Sequence, residues 1–390
     1  MSTSPTFSRR SLLRSGGLVG ATLVVAGTGA LSYRVYDQRI LDPGGGPALD
    51  PWRTWRDDPG PLGAVAAAIL AANPHNTQPW VFAVSPTAID VFADPARGTG
   101  TVDPFRREQH VGLGCAIENL VLAAAALGLE PTLTWLPAGA DDEHVARVAL
   151  GASVPRPSPL HDAIGERHTH RGPYLDRAVD AAALARLDPD EPGVGVHWVT
   201  SERQRSAMGE LMVDAAVAIT TDDQQSLDAF RWFRSTDDAI QRHRDGLTLD
   251  GQDLRGLVRT LAKLAPAASR RTGDEFWVRQ TREVHTRTAA AYGILTVDDA
   301  TSRPAQLAGG RALERIHLAA TRDGVALHHM NQVTERIDRE RQLGQSPELA
   351  RRMQAFLPPG AEPLVAFRVG VADHPARRSP RRPVDAVVRP

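Results

Sequence analysis

Two residue types are nearly missing from this chain of 390 residues: it holds one cysteine, Cys115, and one lysine, Lys263. A single cysteine excludes an intramolecular disulfide and any cysteine-based metal cluster. Its setting in the apolar stretch 113–127 marks it as a small core residue, not a nucleophile. With one lysine, any site for an anion must be built from guanidinium groups or backbone donors. Net charge is scarce as well. The formal value of -1 argues against nucleic acid as a main partner. What remains is ordinary for a globular protein, with 42% hydrophobic and 23% charged residues. The length exceeds what one hydrophobic core usually supports, so two lobes are expected.

At the N-terminus, Ser8-Arg9-Arg10-Ser11-Leu12-Leu13-Arg14 precedes a charge-free run rich in glycine and alanine over 15–33. That is the layout of a twin-arginine export signal. As a helix the run would span roughly 28 Å, enough to persist as a membrane anchor. Arg9, Arg10 and Arg14 would keep the N-terminus in the cytoplasm and place the body outside it. Residues 1–33 are therefore read as signal or anchor, and 34–60, rich in Pro, Gly and Trp, as a linker.

The chain after the linker is organised around Asn73-Pro74-His75-Asn76-Thr77-Gln78-Pro79-Trp80. Pro74 and Pro79 each remove a backbone donor and push the preceding residue out of the helical region, so a loop joins the apolar helix 61–72 to a strand at 81–84. Asn76, Gln78 and Trp80 give it two amides and an indole, suited to clasping a flat polar ring; a merely decorated surface turn is the alternative. A hairpin over 81–84 and 88–92, a buried helix over 110–127 and strands at 131–136 and 145–150 follow. Glu118 and Asn119 on that helix read as a paired core couple.

An internal repeat appears when Gly114 is aligned with Gly310. Ala116 then matches Ala312, Glu118 matches Glu314, Leu122 matches Leu318, Ala123 and Ala124 match Ala319 and Ala320, and Gly128 matches Gly324. Two related lobes in tandem are expected, each around one central helix ending at a glycine cap. The second lobe opens with Arg167-His168-Thr169-His170-Arg171, two guanidinium forks about a hydroxyl, a set suited to a phosphate and a neighbouring carbonyl. His168 and His170 have no carboxylate or third histidine at ligand spacing, so no metal is expected. His328-His329 reads as a packing or surface pair. The tail carries a strand over 363–371 and then Arg377-Arg378-Ser379-Pro380-Arg381-Arg382, which could fold back as a second anion clamp.

Together the loop, repeat, arginine pair and basic tail resemble the FMN-dependent nitroreductase family, in its long two-lobed Acg-type branch, where one polypeptide replaces the usual homodimer. Asn76, Gln78, Pro79 and Trp80 are similar to the family's Pro-Ser-x-x-Asn-x-Gln-Pro-Trp, with Asn73 in place of its serine. Arg167, Thr169, Arg171 and Tyr174 resemble its Arg-x-Ser-x-Arg-x-Phe, and Arg381 and Arg382 its C-terminal basic pair. The resemblance implies an α+β, nitroreductase-like fold: a first lobe at 61–160 and a second at 161–390, with a lid insertion at 222–273.

It further implies one FMN site per chain. Arg167, Thr169, Arg381 and Arg382 would hold the phosphate, and Arg171 would lie at the pyrimidine edge. His75, Asn76 and Gln78 would contact the ring or ribityl chain from the other lobe. No side chain is required as catalytic acid or base, since protons can come from water. The implied activity is hydride transfer through flavin N5 to a nitroaromatic, quinone-like or other electrophilic acceptor. The electrons would come from NAD(P)H or another donor, nicotinamide coenzymes being scarce outside the cytoplasm. A protein that binds or sequesters FMN without turnover is the alternative, and a two-lobed interaction shell is a third. The membrane would be met only through the N-terminal segment.

Overall fold

The computed structural model describes residues 35, 37–40, 44–139 and 142–389. The expected export signal lies outside the described residues. Among the described residues no helix is long and apolar enough to cross a membrane.

The architecture is α+β, with two main antiparallel sheets and two long helices packed between them. The first sheet takes β1 (Trp80–Ser85), β2 (Ala88–Ala93), β3 (Leu129–Trp135) and β4 (His144–Ala152). Ser85 closes the β1–β2 turn, its Oγ accepting from Ala88 N at 3.0 Å. The second sheet has β5 (Gly195–Val199), β8 (Ala291–Val297), β10 (Glu362–Gly370) and β9 (Ala326–His329), in the order β5-β8-β10-β9. β3 alternates between half-buried and exposed residues, whereas β8 is buried throughout. The first pattern belongs to a sheet with one face toward water, the second to a strand covered on both faces.

The order of the first sheet is β11-β1-β2-β4-β3. Its edge strand β11 (Val388–Arg389) comes from the far end of the chain and pairs parallel with β1, Phe82 opposite Val388. The tail thus leaves the second lobe and finishes on the first. Between 222 and 285 helices alternate with the two-stranded parallel ribbon of β6 (Phe233–Arg234) and β7 (Leu247–Thr248).

The central helices, Arg107–Ala126 and Arg303–Arg322, lie at the middle of the molecule and pack on each other. Asp103 starts the first: its carboxylate accepts from the backbone N–H of Glu108 at 3.1 Å and of Gln109 at 2.9 Å. Both are followed by a glycine with positive φ, Gly128 (78°) and Gly324 (70°), the conformation that lets a helix end with its last carbonyls bonded. The repeat is visible in space. His110 and Gln306, equivalent positions in the two copies, face each other with Nδ1 and Oε1 2.7 Å apart. Glu118, as expected, is paired: it accepts from Arg311 at 2.8 Å and Arg315 at 2.7 Å.

Candidate functional site

The loop 73–80 is held in a conformation that side-chain bearing residues seldom adopt. His75, Asn76 and Gln78 have φ of 48°, 55° and 54°, at a cost of roughly 1–2 kcal/mol each. Specific hydrogen bonds sustain it. Asn73 Oδ1 accepts from Gln78 N at 2.8 Å. Asn76 Nδ2 donates to Gly246 O at 3.1 Å and Pro380 O at 3.0 Å, and its Oδ1 accepts from Arg381 at 2.6 Å. Gln78 Nε2 donates to Arg244 O, and its Oε1 accepts from Arg382 N, both at 2.8 Å.

These amides therefore clasp the segment 244–246 and the tail, not a free ring edge. Gln78, expected at the cofactor, is fully buried and away from the cavity described next. Asn76 borders that cavity with both amide hydrogens already used.

The cavity has a volume of about 1020 Å³ and lies where the two lobes, the tail and the segment 229–285 meet. His75 and Asn76 reach it from the first lobe; Arg167, Thr169 and Arg171 reach it from the second, and Arg377, Ser379 and Arg381 from the tail. Its cover overlaps the stretch 222–273 expected as a lid and runs past it; it contributes an apolar surface that includes Phe230, Phe233, Leu247 and Phe276. Arg382 does not border it. Its backbone is tied to Gln78 and its guanidinium turns to Ala386 O, because the chain must swing outward here to enter β11. Arg377, read with the basic tail but not among the expected phosphate ligands, borders the cavity instead.

The arginines differ in what they are free to do. Arg167 is 2% exposed, stands 3.0 Å from Glu314 Oε1 and donates to Leu70 O at 2.8 Å. Arg381 donates to Leu70 O at 3.1 Å and Ala71 O at 3.2 Å. Both thus cap the carbonyl-rich end of the helix Gly60–Ala68, where cations are favoured. Arg381 keeps one buried donor, Nε–H, without a partner among the described residues.

Arg171 is the exception. Its guanidinium donates to Gly251 O in the cover, at 3.3 Å, and no carboxylate pairs with it among the described residues. Burial, and then the nearby Arg368, hold its pKa down at about 10, still charged at neutral pH. A half-buried cation bordering a cavity, with no carboxylate partner among the described residues, is a place for an anion or an electron-rich carbonyl. His75 lies close enough to feel that charge; burial and Arg171 together lower it to about 4, so the ring is neutral and offers one donor and one acceptor.

Three features were not read from the sequence. His328 and His329, expected as a packing or surface pair, both border the cavity. Burial, then Arg167 and Arg171, lower His329 to about 3. Arg368 is wholly buried in β10 and donates to Gly172 O at 2.7 Å and His170 O at 3.4 Å, fixing the backbone that carries Arg171. A lone arginine within Leu364-Val365-Ala366-Phe367 and Val369 was the available signal. Lastly, Glu108 and Glu335 border the other side. Burial raises both, Glu335 to about 8, so Glu335 is mainly protonated at neutral pH.

The comparisons with known proteins follow this geometry. No family model matches the chain. It is similar to a Mycobacterium tuberculosis protein provisionally named NAD(P)H nitroreductase Rv3131, 30% identical over 39% of this chain and 44% of that protein. The match therefore spans less than half the length of that relative. A second protein of the same organism, provisionally named NAD(P)H nitroreductase acg, is 25% identical over 83% of this chain and 93% of its own length. Among solved structures, an FMN-bound nitroreductase of Desulfitobacterium hafniense aligns with TM-score 0.35 and 14% identity, over 58% of this chain and 95% of that one. An FMN- and NADPH-dependent nitroreductase from a Sphigopyxis strain gives 0.37 and 16%, over 59% and 97%. Scores this low say nothing about ligands.

Proposed function

We propose that this chain is an FMN-binding oxidoreductase of the nitroreductase type, which takes electrons from a nicotinamide or another donor and passes hydride to a nitroaromatic, quinone-like or other electrophilic acceptor. The observation that carries the reading is Arg171, a half-buried guanidinium with no carboxylate partner among the described residues, bordering a cavity built from both lobes. A cavity of about 1020 Å³ is at the upper end of those that enclose drug-sized ligands, ~300–1,000 Å³. Its apolar cover and cationic opposite wall suit an aromatic ring system that bears a phosphate.

In this reading the reactive chemistry is that of bound FMN, a two-electron carrier whose ring accepts and delivers hydride. The chain's residues supply the setting. Arg171 would lie at the carbonyl edge of the ring, where a positive charge favours the reduced form. Thr169, Ser379, Arg377 and the unpartnered Nε–H of Arg381 would take the phosphate. Arg167, neutralised by Glu314, would support that wall. His75 would meet the ligand as a neutral ring from the other lobe, and the segment 229–285 would exclude water. Glu335, mainly protonated at neutral pH, would hand a proton to an acceptor bound alongside.

A second reading keeps the binding and omits the turnover. Asn76 and Gln78 fasten the cover at Gly246 and Arg244, which favours a protein that holds FMN closed away from donors. Purified protein should be yellow, with the visible bands of flavin; colourless protein that takes up no added FMN would reject both readings. Anaerobic mixing with NADPH then separates them, because an enzyme bleaches within seconds and a sequestering protein does not. Arg9 and Arg10 followed by the charge-free stretch further support export by the twin-arginine route. Replacing both with lysine should leave the protein inside the cell.

A further inference from the structure

Beside the cavity, three segments far apart in the chain bring His170, Asp253 and His374 together. One donor atom from each lies within 4.8 Å of the others. His170 belongs to the arginine-bearing segment, Asp253 to the cover and His374 to the tail. Each shows a sign of being arranged for something more than packing. The His170 ring is 2% exposed, yet neither ring nitrogen has a hydrogen-bond partner among the described residues. Buried imidazoles are normally bonded at one nitrogen at least. Asp253 Oδ2 is likewise buried and without a hydrogen bond, in a side chain that is 7% exposed.

The backbone is shaped to admit this carboxylate. Asp253 has a φ of 58°, which aspartate tolerates better than most residues. At Gly172 a Cβ would fall 1.7 Å from Asp253 Oδ2 and 3.0 Å from the His170 ring, so only glycine leaves the space in which the two side chains approach. His374 is oriented from outside. Its Nδ1 is 2.6 Å from Asp373 Oδ1 and 2.6 Å from Arg255 Nη2, and its Nε2 points inward, 2.8 Å from Asp253 Oδ1. A carboxylate on the outer nitrogen of an inward-facing histidine is the usual support of a metal ligand.

We propose that His170, Asp253 and His374 form a site for one divalent transition-metal ion of the zinc class, which fastens the cover at Asp253 to the tail and to the segment bearing Arg171. Two imidazoles and a carboxylate are a common three-ligand set for zinc, with water in the fourth position. Nitrogen and oxygen ligands about one tetrahedral zinc stand roughly 3.4 Å apart, so rotations of these side chains complete the shell from the spacing seen. Arg255 Nη2, 3.7 Å from Asp253 Oδ2, is the nearest opposing charge; it is 44% exposed and paired with Asp373, so water screens it. No metal is expected from the sequence, because no third ligand stands near His168 and His170; the other two come from loops about 80 and 200 positions on, a distance only the fold can close.

The test uses untagged full-length protein stripped with a chelator and titrated with zinc chloride, and in parallel with cobalt(II) chloride, whose visible bands report nitrogen and oxygen ligation. One ion per chain is expected. His374→Ala, which alters a partly exposed tail residue, and Asp253→Asn, which keeps the side-chain volume, should each weaken zinc binding at least tenfold. Zinc should also slow proteolytic cleavage within 254–269 in the parent protein and not in His374→Ala. No stoichiometric uptake by folded protein, or equal uptake by the parent and both variants, overturns the site. Uptake without slower cleavage overturns the fastening. Metal content is read whether or not the protein is yellow, so the outcome is independent of the flavin reading.

Discussion

A methyl group placed on Gly114 would stand 2.8 Å from Gly310 Cα and 2.1 Å from Leu307 O; one placed on Gly310 would stand 2.8 Å from Gly114 Cα and 2.1 Å from Val111 O. The two central helices thus cross backbone to backbone at equivalent residues of the repeat. Gly310→Ala should therefore destabilise the protein by about 1–3 kcal/mol through overpacking, although alanine is the better helix former by ~1 kcal/mol. Urea denaturation decides the sign. A neutral or stabilised variant would mean that the crossing can open at little cost.

Asn76 should matter more for stability than for ligand contact. Its removal takes one bond from each of Gly246 O, Pro380 O and Arg381; the last two still bond each other, but Gly246 O loses its side-chain donor, and an orphaned buried group costs about 1–3 kcal/mol. Asn76→Gly accepts the φ of 55° and would be harmless if only backbone conformation counted. We expect it to lower stability by at least about 2 kcal/mol and to make the segment 244–246 more open to hydrogen exchange.

Arg171→Gln should separate binding from folding. In ligand-free protein it removes a half-buried charge that has no carboxylate partner among the described residues, and should leave stability unchanged or raise it. FMN affinity should fall about tenfold or more, the equivalent of one charge-assisted hydrogen bond. Equilibrium dialysis against FMN, beside a thermal melt of ligand-free protein, gives both readouts; unchanged affinity would remove Arg171 from the site.

The acidic pair sets a pH dependence. Burial pushes Glu335 up to about 8 from an ordinary 4.5, with Arg107 opposing and Asp103 and Asp338 adding to the rise; Glu108 is also well above its usual range. The fold therefore favours the protonated form. Its stabilising contribution is fully present below about pH 4.5 and is lost as pH rises through about 8. Urea midpoints of the parent protein should fall over that window, and those of Glu335→Gln should fall less. Equal slopes would show that other groups govern the titration.

Strand and helix positions were largely legible because local pattern decides them. The hairpin expected at 81–84 and 88–92 is Trp80–Ser85 and Ala88–Ala93, and the helix expected over 110–127 is Arg107–Ala126. The start of that helix was missed because Asp103 begins it from four residues before Arg107, past an Arg106 in the left-handed conformation.

The sequence by itself determined the two-copy plan, through the repeat about Gly114 and Gly310, and the composition of the cavity wall, through a loop between prolines and an arginine cluster without lysine. Tertiary structure alone decided which of those side chains face the cavity and which are consumed in holding it together. Asn76, Gln78, Arg167 and Arg382 carry the same chemical groups as residues that meet a ligand, but carbonyls and carboxylates from distant segments already satisfy most of them. Residue type sets what a side chain can bond to; only the packing of remote segments sets what is left within its reach.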